Sequence, residues 1–442
     1  YDRRNPSTTK LPPYYDGAVF LGEFTQDTLR EIRLDSKNRV FKINSLLDCG
    51  QAPSSNFPFE CDNPMDMQFG PDGAFYLLTY GDGFFSANRD AGIYRWEYVK
   101  GQRAPRAVLG ATPTDGQAPL TVQFSSEGSR DPDPGDSITF AWDFDNNGTV
   151  DSLDPNPLHT YTANGVYTAK LTVTDSTGKT DVKTTVITVG NSAPKVTVTT
   201  PVDGDFFAWG DTIPFTVTVT DAEDAAIDCN RVEVTFVLVH DTHGHAEENV
   251  NGCSGVLHTV AEDASHGGYI AGGISASYTD TGASGQPALT TTAQNVVQLR
   301  RQEVEFVQEH QGTDVAGGFI PLADGDFRTN LDPGDWMALN NRYRVANAST
   351  FTARVNACGS TAGTPAGVLE ARLGSPDGEL LATVPVTVND TFQFCEFVPT
   401  FTNVSVPISG PAGSHRVYLV ARAASGGPTT NMFKVTYVEF GS

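Results

Sequence analysis

The apolar runs of this 442-residue chain are strand-sized, and turn residues separate them. Phe236 to Val239 is among the longest. A helix crossing a membrane needs about 20 consecutive apolar residues, so no transmembrane helix is expected. Within the runs, apolar and polar residues alternate, as in Gly165-Val166-Tyr167-Thr168-Ala169-Lys170-Leu171-Thr172-Val173-Thr174-Asp175. A period of two turns one face of a strand to a core and the other to water. With 43 glycines, 27 prolines, abundant Thr and Val and only four methionines, the chain is predicted to be all-β with many turns. Hydrophobic residues at 39% and aromatics at 10% suffice for packed cores and argue against wholesale disorder. At roughly 150 residues per domain, the length predicts about three domains.

Charge narrows the partners. Lys and Arg number 29 against 53 Asp and Glu, a net charge of -24, and no stretch gathers the cations into a basic stripe. Nucleic acid and anionic membrane surfaces are therefore disfavoured. The chain starts Tyr1-Asp2-Arg3-Arg4, with neither an initiator Met nor an apolar leader. The expectation is a processed protein or a piece of a longer product. Six cysteines fall in three well-separated groups of two, with no CxxC pair. The simplest connectivity is Cys49–Cys61, Cys229–Cys253 and Cys358–Cys395, which points to a secreted or cell-surface protein; buried free thiols are the alternative.

Residues 1–100 hold short strand patterns around the turn Phe69-Gly70-Pro71-Asp72-Gly73, a tight hairpin signal between two alternating runs. YYDGAVFLGEF, PMDMQFGPDGAFYLLTYGDG and AGIYRWEY resemble the C-terminal end of the glucose/sorbosone dehydrogenase family of secreted β-propellers. The resemblance implies about two blades here, with the family's quinone cofactor and catalytic residues on earlier blades. Blades without a closed ring leave edges and faces uncovered, so a missing propeller segment or self-association is expected to complete them.

Residues 104–190 run through Ala118-Pro119-Leu120-Thr121-Val122-Gln123-Phe124, Arg130-Asp131-Pro132-Asp133, Phe140-Ala141-Trp142-Asp143-Phe144-Asp145 and the alternating Gly165–Asp175 segment. This predicts a small β-sandwich that resembles the PKD domain, an immunoglobulin-like spacer of extracellular proteins, with Trp142 in its core. Residues 193–298, with Phe215-Thr216-Val217-Thr218-Val219 and Val232–Val239 as clear strands, predict a second immunoglobulin-like sandwich. It is similar to a module that follows PKD domains in sugar-dehydrogenase-like proteins. Residues 299–442 predict a third sandwich. Gln302–Phe306, Asp332–Trp336, Leu369–Ser375, Gly413–Val420 and Phe433–Phe440 resemble family-six carbohydrate-binding jelly rolls.

Five residue sets could carry chemistry. A sugar site needs an aromatic face for the apolar side of a pyranose and polar groups for its hydroxyls. The jelly-roll resemblance places its aromatic positions at Asn330 and Phe392 and its final-strand Asn at Lys434. The family's structural calcium would lie near Glu303 or Glu305, with Thr436 where an Asp is usual. Retained glycan binding and a packing role both stay open. In the PKD-like module, Asp143, Asp145, Asn147 and Asp151 offer oxygens at alternate positions around Gly148, the pattern hard Ca²⁺ prefers, though Asp154 replaces the bidentate Glu at the twelfth position. A plain polar hairpin is the alternative. Asp131, Asp133 and Asp136 form a weaker oxygen cluster. Finally, His240, Asp241, His243, His245 and, further on, His266 make a candidate site for zinc or another borderline metal, with structural hydrogen bonding as the alternative. No GxSxG, GxGxxG, P-loop or HExxH motif occurs, so no catalytic residue is assigned.

Together these imply the non-catalytic C-terminal portion of a secreted, carbohydrate-associated protein. It would position a propeller at a polysaccharide or a cell-surface glycan. The alternatives are an extracellular protein assembling into filaments, and a quinone-dependent sugar dehydrogenase completed by further blades.

Overall fold

The computed structural model of the chain describes residues 10–23, 28–48, 63–81, 91–98, 102–133, 135–224, 226–240, 243–261, 268–317, 326–396 and 398–442. Among these, every long element is a strand, as the alternation predicts, and helix occurs only as short 3-10 turns. No helix among the described residues is long and apolar enough to cross a membrane. The chain divides into two compact units: residues 1–195 with 220–227 and 279–291, and the remainder.

The first unit opens with two antiparallel three-stranded sheets. One is β1 (Val19–Glu23), β2 (Thr28–Leu34) and β3 (Val40–Asp48); the other is β4 (Pro64–Phe69), β5 (Phe75–Thr79) and β6 (Gly92–Trp96). The hairpin between β4 and β5 forms where the sequence signals it. Gly73 turns with φ +77°, a conformation that only a residue without Cβ adopts freely, and the Gly70 amide donates to the Ala74 carbonyl at 2.9 Å. Leu29, Phe75 and Leu77 are buried between the sheets, with Phe20, Met67, Phe69 and Trp96 packed around them. Where propeller blades would have four strands, each sheet has three among the described residues. Cys49 and Cys61 lie outside the described residues.

The same unit holds a sandwich of β7 (Gly110–Thr112), β8 (Asp115–Gly116), β9 (Leu120–Ser125), β10 (Ile138–Asp143), β11 (Leu158–Tyr161), β12 (Gly165–Asp175) and β13 (Thr180–Val189). Sheet β10-β12-β13-β8 packs on sheet β11-β9-β7 around Val122, Phe124, Trp142, Leu171 and Ile187, all fully buried. Trp142 is a core residue, as expected, and its indole N–H donates to the Asp154 carbonyl at 2.8 Å.

The next sandwich pairs β14 (Lys195–Thr200), β16 (Thr212–Thr220) and β19 (Ser254–His258) in one sheet. The other contains β15 (Phe206–Phe207), β21 (Thr290–Leu299), β20 (Ile270–Thr279), β17 (Val232–His240) and β18 (His243–Asn251), in that order. Strand β16 buries Ile213, Phe215, Val217 and Val219 on one face and exposes the residues between them. The Cys229–Cys253 disulfide ties the turn before β17 to the turn after β18.

The last sandwich contains β22 (Arg301–Glu303), β23 (Glu309–Gln311), β24 (Asp314–Ala316), β25 (Phe327–Thr329), β26 (Trp336–Tyr343), β27 (Thr350–Asn356), β28 (Pro365–Leu373), β29 (Glu379–Thr387), β30 (Thr402–Pro407), β31 (His415–Arg422) and β32 (Lys434–Gly441). Sheet β23-β26-β31-β28-β29 faces sheet β24-β25-β32-β27-β30, on which β22 also pairs with β32. Its core includes Met337, Tyr343, Phe351, Leu369, Leu419 and Phe440. Neighbouring strands bring their ends together at one end of the six-stranded sheet, and the loop from 388 to 401 lies against that end.

Candidate functional site

The loop after β29 is clamped from inside. Asp390, 5% exposed, accepts from the amides of Phe392 at 3.0 Å and Thr400 at 2.8 Å, so one carboxylate closes the loop at its two ends. Asn389 accepts from the Ala357 amide at 2.7 Å and donates to the Val355 carbonyl at 3.0 Å, pinning the loop to β27. The predicted Cys358–Cys395 disulfide makes a third tie. A loop held at so many points presents its side chains at little entropic cost. The side chains it presents are aromatic: Phe392 is 55% exposed and Phe394 53%, their ring centroids 5.7 Å apart at 71°.

Lys434, the first residue of β32, is 6% exposed and sits opposite Asn356 of β27. Its ammonium donates to Glu396 Oε2 at 2.5 Å, so a buried cation and an exposed carboxylate stand beside the two rings. Strand β25 pairs with β32 through Arg328 and Val435, which brings Asn330 to the same end of the sheet. Asn330 adopts φ +58° and donates its amide to Asp314 Oδ2 at 2.6 Å. The fold therefore gathers Asn330, Phe392 and Lys434, the three sugar-site candidates, at one sheet end. Sequence reasoning missed Phe394 and Glu396. The signal was present in Phe392-Gln393-Phe394-Cys395-Glu396, two aromatics bracketing a disulfide position.

Beside Glu303 and Glu305, the candidate calcium residues of the jelly roll, an arginine takes up the backbone carbonyls. Arg328, 3% exposed, donates to the carbonyls of Val304 at 2.9 Å, Glu305 at 3.2 Å and Val307 at 2.5 Å. Glu303 pairs with Arg301. Burial, followed by the Asp326 charge, pushes the Glu305 carboxyl up. The Thr436 hydroxyl is buried without a hydrogen-bond partner. The donors suit the guanidinium already there rather than a calcium ion.

In the PKD-like sandwich, the carboxylates of Asp143, Asp145 and Asp151 do converge, with ligand oxygens within 4.8 Å of one another. The convergence is answered internally. Asp143 Oδ1 accepts from the Asn147 amide at 3.0 Å, and Oδ2 from the Gly148 amide at 2.9 Å. The Lys170 ammonium lies 3.0 Å from the same Oδ2 and donates to Asn146 Oδ1 at 3.1 Å. Asp151 accepts from the Phe144 amide at 2.7 Å, and Asn147 Oδ1 from the Thr149 amide at 2.7 Å. Burial works to raise the Asp143 pKa, but Lys170 and the two amides outweigh it and hold the carboxyl below its usual range. The second cluster, Asp131, Asp133 and Asp136, also converges; the Arg103 guanidinium engages Asp133 at 2.8 Å, while Asp131 Oδ2 is buried without a hydrogen-bond partner.

Of the histidine set, Asp241 and His266 lie outside the described residues. His240 ends β17, His243 begins β18, and the two are direct cross-strand partners. His258, by contrast, is engaged elsewhere: its Nδ1 lies 3.1 Å from Glu248 Oε1.

Comparison with known proteins bears on two of these modules. Residues 102–189 match the PKD domain, and residues 308–442 match the carbohydrate binding module (family 6). Collagenase ColQ1 of Bacillus cereus (strain Q1) is 28% identical over 156 residues, covering 32% of this chain and 16% of that protein. The arabinoxylan arabinofuranohydrolase of Bacillus subtilis (strain 168) is 32% identical over 113 residues, covering 25% of this chain and 19% of that protein. The chain thus spans less than a fifth of either relative. Among solved structures, a family 6 carbohydrate-binding module from Clostridium cellulolyticum in complex with xylose is 26% identical. It covers 32% of this chain and 96% of that one, with a TM-score of 0.26. By the two family matches the chain carries a PKD domain and a family 6 carbohydrate-binding module, and both segments are folded as β-sandwiches.

Proposed function

We propose that this chain is a secreted, non-catalytic accessory region whose last sandwich holds a polysaccharide while the PKD domain acts as a spacer. The observation that carries the reading is the pair of half-exposed rings, Phe392 and Phe394, on a loop pinned by Asp390, Asn389 and the Cys358–Cys395 disulfide. Exposed aromatic faces cost solvation, and a rigid pair beside buried polar groups is what stacking on sugar rings requires. The disulfides support an oxidising compartment. The partial matches to a collagenase and to an arabinoxylan arabinofuranohydrolase support a region that accompanies a catalytic body.

Affinity electrophoresis of the full chain tests this, with xylan, arabinoxylan, β-1,3-glucan, cellulose derivatives and chitosan cast separately in the gel. Retardation by at least one neutral polysaccharide is expected. Unchanged mobility throughout, confirmed by pull-down on insoluble forms, overturns the proposal.

One specific observation favours a second part of the reading, in which the two N-terminal sheets belong to a larger assembly. Ile93 is 75% exposed, Phe41 65%, Ile43 60%, Val40 56% and Met65 55%, and Ile43 is the cross-strand partner of Ile32. Apolar side chains concentrated on small sheets mark surface that something else covers. Further blades of a quinone-dependent propeller, or a second copy of this chain in a filament, would each supply that cover.

A further inference from the structure

We infer that a calcium ion binds where the chain leaves the PKD domain, held by side-chain oxygens of Asn191, Asp221 and Glu223. A ring of side-chain hydrogen bonds draws the segments together. Asn191 Nδ2 donates to Asp280 Oδ2 at 2.9 Å, the Thr281 hydroxyl to Asp224 Oδ1 at 2.8 Å, and the Ser192 hydroxyl to Glu223 Oε1 at 2.9 Å. Residues 191 and 192, 280 and 281, and 223 and 224 are chain neighbours, so the three bonds close on one another. The segments are the one that follows β13, the turn that follows β16 and the connection from β20 to β21, and all of these residues belong to the first compact unit. Strand β8 adjoins them: Asp115 Oδ2 accepts from the Ala193 amide at 2.7 Å, and the Gly116 amide donates to the Asn191 carbonyl at 3.0 Å.

Asn191 is the residue that points to a ligand. It is 0% exposed, and its amide can face only one way, because Nδ2 donates both to Asp280 Oδ2 and to the Pro287 carbonyl at 3.0 Å. Turned over, it would set oxygen against oxygen at both contacts. Its Oδ1 is therefore held as an acceptor within the ring, and no donor reaches it. A buried acceptor without a donor is rare in native proteins and marks a bound water or ion.

Two carboxylate oxygens beside it are in the same state. Asp221 Oδ2 and Glu223 Oε2 are buried without a hydrogen-bond partner, although the other oxygen of each is used. Asp221 Oδ1 accepts from the amides of Glu223 and Asp224, both at 2.8 Å, and Glu223 Oε1 takes Ser192 and the Gln117 side chain. Among the described residues, neither carboxylate forms an ion pair with a lysine, arginine or histidine. A buried carboxylate needs a compensating charge. One water has two hydrogens for three oxygens and brings no charge. A cation answers all three. The donors are oxygens only, two of them anionic, which selects a hard ion. Ca²⁺ accepts about six to eight oxygens at about 2.3–2.6 Å in irregular geometry, with carbonyls and waters completing the shell, whereas Mg²⁺ demands a near-ideal octahedron.

The full chain, stripped with EDTA, tests this by calorimetric titration with Ca²⁺ and by melting in Ca²⁺, Mg²⁺ or EDTA. Ca²⁺ should bind and raise the melting temperature, and Mg²⁺ at equal concentration should raise it less. Asp221→Asn and Glu223→Gln keep an oxygen for the protein's own hydrogen bonds and remove only the charge, so each should fold and weaken Ca²⁺ at least tenfold. Asp136→Asn and Asp145→Asn, in the two other acidic clusters, should leave that affinity unchanged. Far-UV circular dichroism monitors folding, and Glu223→Gln, at a partly exposed residue, carries the test if Asp221→Asn unfolds. No Ca²⁺ uptake by the wild-type chain overturns the inference. So does uptake equal to wild type in a folded Asp221→Asn/Glu223→Gln chain, which would assign water to the ring. Loss of Ca²⁺ only in Asp136→Asn or Asp145→Asn overturns it as well, by moving the ion into the PKD sandwich. None of these results touches the polysaccharide site, which belongs to the last sandwich.

Discussion

Removing the two rings of the 388–401 loop should abolish most polysaccharide affinity while leaving the fold intact. Phe392 is 55% exposed. For a side chain of about 200 Å², that leaves roughly 110 Å² in contact with water. A pyranose covers one ring face, about half of that area, and at about 25 cal/mol per Å² the contact contributes roughly 1.4 kcal/mol. Phe392→Ala should therefore weaken binding about tenfold, and Phe392→Ala with Phe394→Ala up to about a hundredfold if the sugar spans both rings. Because both side chains are half in water already, the double variant should keep the wild-type melting temperature to within a few degrees. Isothermal titration with the oligosaccharide of whichever polysaccharide retards the chain measures the first quantity, and calorimetric melting the second. Wild-type affinity in a folded double variant would refute the assignment of the site to this loop.

Three further outcomes follow from the same structure. Lys170→Gln removes the ammonium from Asp143, which faces it directly across β10 and β12; millimolar Ca²⁺ should then raise the melting temperature of this variant more than that of wild type, and equal shifts would show that Lys170 does not take the cation's place. Since Asp143 is held below its ordinary pKa in the fold, its contribution is complete above the unfolded value of about 3.9 and is lost as pH falls through the lower folded value. Lys170→Gln should accordingly move the acid unfolding midpoint of the PKD domain upward in a circular dichroism titration. Replacing Cys358 and Cys395 by Ala opens a loop of sequence separation 37 and should destabilise the last sandwich by about 2–4 kcal/mol in urea denaturation, with the polysaccharide affinity falling as the aromatic loop loosens. If the N-terminal sheets are a covered surface, Phe41→Lys with Ile43→Lys should reduce dye binding and self-association seen by light scattering, and unchanged association would place the contact elsewhere.

What the chain determines locally was legible residue by residue. Alternation in Gly165–Asp175 and Thr212–Thr220 became β12 and β16, and the Phe69–Gly73 turn became a hairpin, because period and turn chemistry act over a few neighbours. The resemblance to the PKD domain put Trp142 in a core, where it is fully buried, and two of the cysteine pairs formed as their spacing suggested. The sites resisted that reading. Asp143 was recognised as a calcium candidate, yet Lys170, 27 residues later, is what faces it; Phe394 and Glu396 acquire meaning only once Lys434 arrives from the final strand. Likewise His240 and His243 become partners through a register, not through a motif. Periodicity tells which face of a strand is apolar, but which side chain lies opposite which is decided by non-local pairing, where a slip of one residue would exchange every neighbour.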